Sequence, residues 1–326
     1  MFKLLKRILF FVKITFMFSL VTAFVIGGLP GFEGTVGMLR VDANNGFVSI
    51  SGAPLANSMV PNRTVQLNAS VFWLGRSDTN IAPNNANAQF QWFSSNPSVA
   101  TVSSTGLVTA RAAGTVIISA YSLLSPQATP ARLTIQVIGM PTIQPRSRWT
   151  SDPHRMGLRT RTPQRVIFHH NAGAVFTNTT EAAAINYILG FGRVNGGSYH
   201  FAIDPAGRIW ELIPRTHMGA HTYNYNNDIG IAFLGNYHPQ TPYNPNGGQQ
   251  LNAAQRTAAE QLTRWLVIYY NMNTIQEPPA NQAIPRIHAP VAVHSDFTVR
   301  ACPGDFATPW VMTLRQQINT WIRNAR

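Results

Sequence analysis

The side chains best suited to chemistry gather in one stretch near the C-terminus, Val293 to Gly304. It holds Cys302, the single cysteine of 326 residues, eight positions after His294, with Arg300 two before the cysteine and Pro303-Gly304 directly after it. A thiolate and an imidazole that a loop can fold onto one point suit a zinc ion, which takes sulfur and nitrogen donors in a tetrahedron. Two protein ligands do not hold a catalytic zinc. The best third donor is His169, at the end of the apolar run Val166-Ile167-Phe168, where a strand end delivers side chains to a loop cluster. His288, six before His294, is the rival ligand in the same region. One cysteine also excludes an intramolecular disulfide, so the chain folds without covalent staples.

The elements that must position these groups are legible over residues 165–326. Arg165 to Phe168 predicts an apolar strand, and Asn178-Thr179-Thr180-Glu181 a capping box that opens a helix running to about Leu189. Tyr199 to Ile203 and Arg208 to Ile213 predict a hairpin around Asp204-Pro205-Ala206-Gly207, with Tyr199 at its mouth. Ile229 to Leu234 reads as a buried strand. Asn252 to Tyr270 and Thr308 to Arg323 read as long helices, with Ala259, Leu262 and Leu266 on one inward face and Val311, Leu314 and Ile318 on the other. Strands alternating with helices predict an α/β domain with a mixed central sheet flanked by helices. Strand alternation turns His170 away from His169, toward the cleft or the interior, and His200 away from Tyr199 into the core. His217 and His238 are expected at the surface.

The preceding chain has a different texture. Val65 to Val71, Phe90 to Phe93, Thr115 to Ala120 and Ala131 to Val137 are β-rich runs separated by Asn/Pro/Gly/Ser turns, which predicts an all-β sandwich over residues 45–139. Residues 140–164, rich in proline and arginine, read as a linker and an arm on the next domain. At the N-terminus, Lys3, Lys6, Arg7 and Lys13 precede an uncharged run from Ile14 to Ile26, so residues 1–31 are expected to be a secretory signal, or a membrane anchor if uncleaved. The protein is therefore expected to be multidomain and exported, to the extracellular side or the outer face of the cytoplasmic membrane.

The net charge is +13, with 45% hydrophobic and 11% charged residues, which is neither a disordered nor a coiled-coil composition. Residues 141–326 carry sixteen cations against nine acids. A basic domain suits an anionic polymer. The arginines are scattered singly, with no basic stripe, so nucleic acid is not the expected partner.

Two stretches resemble known families. Trp92-Phe93-Ser94-Ser95 through Val99-Ala100-Thr101-Val102 and Gly106-Leu107-Val108-Thr109-Ala110 to Gly114-Thr115 resembles the bacterial Ig-like domain of group 2, which implies a spacer or surface-binding module with Trp92 in its core. Phe168-His169-His170, Gly197-Ser198-Tyr199-His200-Phe201, Asp204 to Glu211, Gly219-Ala220-His221, Asp228 to Tyr237 and the His294/Cys302 loop together resemble the zinc N-acetylmuramoyl-L-alanine amidases of the second type, a family shared with peptidoglycan recognition proteins. That resemblance implies Zn2+ held by His169, His294 and Cys302, and catalytic roles for Tyr199 and Arg300. It further implies substrate contacts from His170, His221 and Asn236, and peptidoglycan as the partner of a monomeric hydrolase. Some branches carry a glutamate in the strand where this chain has Ala232 and Phe233, so the proton acceptor is left open. The alternative is a non-catalytic peptidoglycan-binding protein on the same fold. Retention of Cys302 favours the enzyme.

Overall fold

The structure, a computed structural model, describes residues 46–73, 89–124, 126–192, 198–240, 247–273, 289–299 and 301–324. The expected signal or anchor segment, Arg300 and His288 lie outside them. Among the described residues no helix is long and apolar enough to cross a membrane.

Among the described residues the β-rich part has the strands β1 (Gly46–Ser51), β2 (Ser58–Met59), β3 (Thr64–Gln66), β4 (Asn68–Trp73), β5 (Phe90–Ser94), β6 (Ala100–Val102), β7 (Leu107–Ala110), β8 (Gly114–Ser122) and β9 (Ala131–Val137). They form sheets in the orders β2-β9-β8-β5, β3-β7-β6 and β1-β4. Inward residues alternate along the strands, and Val48, Leu67, Trp92, Val108, Val116, Ile118 and Ile135 share one core. The run expected as a single strand from Val65 to Val71 is broken. The chain changes sheets at Leu67, between β3 paired with β7 and β4 paired with β1. Leu67 is fully buried at the crossing, and its carbonyl lies 2.5 Å from where a Cβ on Gly106 would stand, so only glycine fits there.

The second part is built on one six-stranded sheet. Its strands are β10 (Ile143–Gln144), β11 (Val166–His170), β12 (Phe201–Ile203), β13 (Ile209–Glu211), β14 (Ile229–Phe233) and β15 (Val291–Val293), in the order β10-β13-β12-β14-β11-β15. β12, β14, β11 and β15 run parallel, and β13 is antiparallel to β12, so the sheet is mixed. Its central strands are buried on both faces, as parallel strands under helices are.

Among the described residues, helices cover it on both faces. α1 (Glu181–Gly192) packs Ala184 and Ile188 on one face with Ala202, Trp210 and Leu234. α2 (Ala253–Tyr269) and α3 (Thr308–Asn324) pack on the opposite face against Val166, Phe168, Ile231 and Phe233. The α2 start follows the sequence signal: Asn252 accepts from the Gln255 N–H at 2.9 Å, and the Gln255 side chain reaches back to the Asn252 N–H. The α1 start does not. Thr180, not Asn178, accepts from the Ala183 N–H, and Glu181 is drawn to Arg148 at 2.6 Å instead of closing a capping box.

The stretch before β11 packs onto this fold. β10 adds an edge strand to β13, and Trp149 is buried with its indole N–H donating to the Glu211 carbonyl at 2.9 Å. Ala56 and Val60 of the β-rich part join the hydrophobic core beneath α2 and α3, and the Arg63 guanidinium stands 4.9 Å over the Tyr269 ring.

Candidate metal centre

The site forms at the C-terminal ends of adjacent parallel strands, where functional groups collect in open α/β sheets. β11 and β15 pair with Phe168 opposite Val293, so the next residues, His169 on β11 and His294 directly after β15, stand side by side. Their ring centroids are 4.6 Å apart. On the other flank of His169 the register partner is Ala232 of β14, so no carboxylate stands beside it on that strand.

Cys302 reaches the pair from the loop that follows. The Ser295 N–H donates to the Cys302 carbonyl at 2.9 Å, closing the segment back on itself. After the cis Cys302-Pro303 peptide, Gly304 sits with φ +97°, and a Cβ there would fall 2.5 Å from the Tyr237 carbonyl oxygen. Behind His294, the Asp296 carboxylate accepts from the Val293 N–H at 2.8 Å and is paired with the Arg315 guanidinium, whose Nε also donates to the Val291 carbonyl at 2.8 Å. One arginine on α3 thus holds both β15 and the turn that presents His294.

One ligand atom each from His169, His294 and Cys302 lies within 4.8 Å of the other two, and among the described residues this is the group that could hold a metal ion. The Cys302 Sγ is 3.7 Å from the His169 Nδ1. A tetrahedral zinc with ordinary Zn–N and Zn–S bond lengths separates such donors by about 3.6 Å. The donor set and its spacing therefore fit that ion. Burial, reinforced by the neighbouring imidazoles of His221 and His294, pushes His169 well below the ordinary histidine range, which keeps its ring neutral and its lone pair available.

Tyr199 lies against the same centre, with its ring centroid 5.0 Å from that of His169 and its hydroxyl 3.3 Å from the His170 carbonyl. Burial, and then the Cys302 thiolate, raise its pKa, so it is a neutral phenol with a proton to donate. The three residues expected to touch substrate are placed differently. His170 faces the α2/α3 side at 3% exposure, its Nδ1 accepts the Tyr237 N–H at 3.2 Å, and its ring abuts His238. His221 is 6% exposed and lies under His169, its Nδ1 3.1 Å from the His169 Nε2. Asn236 is half-buried, with its Oδ1 taking the His238 N–H at 3.0 Å. His200 is a core histidine: its Nδ1 accepts the Gly230 N–H at 3.0 Å, and its Nε2 lies 2.9 Å from the His217 carbonyl. His217 and His238 are half-buried, not the surface residues expected.

Asp228, Thr222, Asp296 and Arg315 are the supporting residues that sequence reasoning missed. Asp228 is completely buried, pairs with Arg161 at 3.1 Å and Arg165 at 3.2 Å, and accepts the Gln164 N–H at 3.0 Å. An acid at the head of the apolar run Ile229 to Leu234 is the available signal for it, because an isolated carboxylate is not buried without partners.

Residues 159–305 match the family model of N-acetylmuramoyl-L-alanine amidase, and residues 76–129 match that of the bacterial Ig-like domain, group 2. Comparison with curated proteins returns no match. Similar solved structures include the endolysin N-acetylmuramoyl-L-alanine amidase LysCS of Clostridium intestinale, 21% identical over 54% of this chain and 96% of that one, with a TM-score of 0.36. Bumblebee PGRP-SA is 22% identical over 56% of this chain and 95% of its own, with a TM-score of 0.39. The Ph2119 endolysin of a Thermus scotoductus bacteriophage is 20% identical over 53% of this chain and 98% of its own, with a TM-score of 0.36. The chain carries a bacterial Ig-like domain of group 2 followed by a domain of the N-acetylmuramoyl-L-alanine amidase family.

Proposed function

We propose that this protein is an exported zinc amidase that hydrolyses the amide bond between N-acetylmuramic acid and L-alanine in peptidoglycan. The observation that carries the reading is the meeting of His169, His294 and Cys302 within 4.8 Å, at the C-terminal ends of β11 and β15 inside the matched amidase region. His169 through Nδ1, His294 and Cys302 would hold the ion. When bound, zinc supplies Lewis acidity toward the scissile carbonyl and lowers the pKa of water at its open position.

The chain's own residues divide the remaining work. Tyr199 keeps its phenolic proton and offers it as a hydrogen bond where negative charge grows on the carbonyl oxygen. Arg300, next to the cysteine loop, is proposed to add a fixed positive charge there. A guanidinium keeps its protons near neutral pH, so it stabilises charge without shuttling protons. With Ala232 beside His169, a β14 carboxylate is not the proton acceptor. The Ig-like unit, residues 45–139, would tether or space the enzyme at the wall, and residues 1–31 would direct its export.

Purified full-length chain on intact peptidoglycan tests the reading by its products. New N-terminal alanine without new reducing sugar ends supports the amidase. Tight sedimentation with peptidoglycan and no new ends of either kind would leave a binding protein.

A further inference from the structure

Beneath the metal ligands runs a chain of three groups whose hydrogen-bond polarity is fixed from its far end. The His221 Nε2 lies 3.1 Å from the Asp228 carbonyl oxygen, and the His221 Nδ1 lies 3.1 Å from the His169 Nε2. A carbonyl oxygen only accepts, so the His221 Nε2 must carry the hydrogen. A neutral imidazole has one N–H, which leaves the His221 Nδ1 bare and able only to accept. His169 must then place its own hydrogen on Nε2, and its Nδ1, the atom 3.7 Å from the Cys302 Sγ, keeps a free lone pair. We infer that the Asp228 carbonyl, acting through His221, locks His169 in the tautomer that can ligate metal, which makes His221 a positioning residue rather than a substrate contact. The inference rests on the proposed reading of His169 as a ligand.

Independent features hold each link. The His221 ring is wedged between Gly219 and Gly230: a Cβ on Gly230 would fall 2.6 Å from its Cδ2 and Cγ, and a Cβ on Gly219 would overlap Cδ2. The backbone N–H groups of His221 and Thr222 both donate to the Asn226 Oδ1, at 2.9 and 3.0 Å. The Thr222 hydroxyl, 3.0 Å from the His221 Nδ1 and 3.4 Å from the His169 Nε2, fits the same polarity as a donor to the first or an acceptor from the second. Asp228 cannot drift, since its side chain is tied to Arg161, Arg165 and the Gln164 N–H. The His221 ring is buried at 6% exposure, with its two nitrogens facing the Asp228 carbonyl and the His169 ring. Outer partners of this kind orient a ligand ring, and their loss typically weakens metal binding about 10–100-fold.

The test uses full-length chain labelled with 15N-histidine and long-range 1H–15N correlation in the metal-free state, alongside zinc affinity from chelator competition. Both His169 and His221 should show the Nε2–H tautomer. His221→Leu, which keeps bulk and removes the acceptor, should weaken zinc binding about 10–100-fold, whereas His221→Asn, whose Oδ1 replaces Nδ1, should stay within about 5-fold of the wild type. An Nδ1–H tautomer on either ring in the wild type overturns the inference, and that spectrum decides it even if the leucine variant does not fold. A folded His221→Leu protein that binds zinc as tightly as the wild type also overturns it. Wild-type protein that binds no zinc would sink the metal reading and the role of His221 with it; the tautomers distinguish that outcome from failure of the relay alone.

Discussion

Gly230→Ala separates a metal centre supported from below from one that depends on its three ligands alone. Gly230 lies mid-strand in β14, between β11 and β12, with its carbonyl accepting from the His200 N–H at 2.9 Å and its N–H donating to the His200 Nδ1 at 3.0 Å. The backbone therefore has no freedom to yield. An added Cβ would stand 2.6 Å from the His221 Cγ and 2.9 Å from its Nε2, well inside contact distance, and Gly219 blocks retreat on the far side. The ring must shift by about 1 Å, which breaks the bonds to His169 and the Asp228 carbonyl together. Elsewhere in a strand or helix, replacing glycine by alanine stabilises by about 0.5–1 kcal/mol. Here overpacking costs about 1–3 kcal/mol and the lost buried hydrogen bonds about 1–3 kcal/mol more. Set against the usual gain, the net expectation is a loss of about 1–5 kcal/mol. Gly190→Ala is the control, because a Cβ at that exposed helical position meets nothing within 4 Å, and it should stabilise by about 1 kcal/mol. Urea unfolding gives the stability and chelator competition the zinc affinity, which should fall about 10-fold or more in Gly230→Ala. A Gly230→Ala protein as stable as the Gly190→Ala control, with wild-type zinc affinity, would refute the reasoning.

Further expectations concern other parts of the site. Arg315→Met keeps the aliphatic stem but leaves Asp296 unpaired, at 14% side-chain exposure, so it should cost about 2 kcal/mol in denaturant unfolding and loosen zinc through the His294 turn. Tyr199→Phe should lower kcat about 100-fold on peptidoglycan fragments with zinc affinity unchanged; a variant that loses zinc instead would make the tyrosine a structural support. His170, pushed by burial and the neighbouring His238 to about 3, and the fully buried His200, pushed well below its ordinary value, are neutral in the fold but titrate near 6.5 when unfolded. The unfolded chain binds more protons below that value. Stability is thus fully present above about pH 6.5 and is lost as pH falls toward 3, by about 2 kcal/mol per histidine between pH 7 and pH 5. Urea midpoints that do not change over that interval would contradict the burial of these rings.

How much of this was legible in the sequence follows from the physics of each feature. The strands and helices with long apolar periods, β9, β14, α2 and α3, were visible because packing on one or both faces leaves a regular pattern. β10 and β15 were not, since two or three residues carry no period, although β15 supplies the register that sets His294 beside His169. The break at Leu67 escaped because a chain that changes sheets keeps its alternation of buried and exposed residues. Proximity of His169, His294 and Cys302 was foreseeable from donor chemistry and motif spacing. The burial of His221 under His169 was not, because it depends on two glycines from different segments leaving room for one ring. For the same reason the motif reading sends His221 to the cleft and leaves His170 between cleft and interior: a histidine in a motif reads alike whether it faces solvent or a neighbouring ring.

The most direct measurement is zinc titration of metal-stripped full-length protein, following new N-terminal alanine from intact peptidoglycan. The expected result is no release without metal, recovery that saturates at one zinc per chain, and no recovery at that stoichiometry in Cys302→Ser. Full activity in the stripped protein, or equal recovery in Cys302→Ser, would contradict a catalytic centre built on His169, His294 and Cys302.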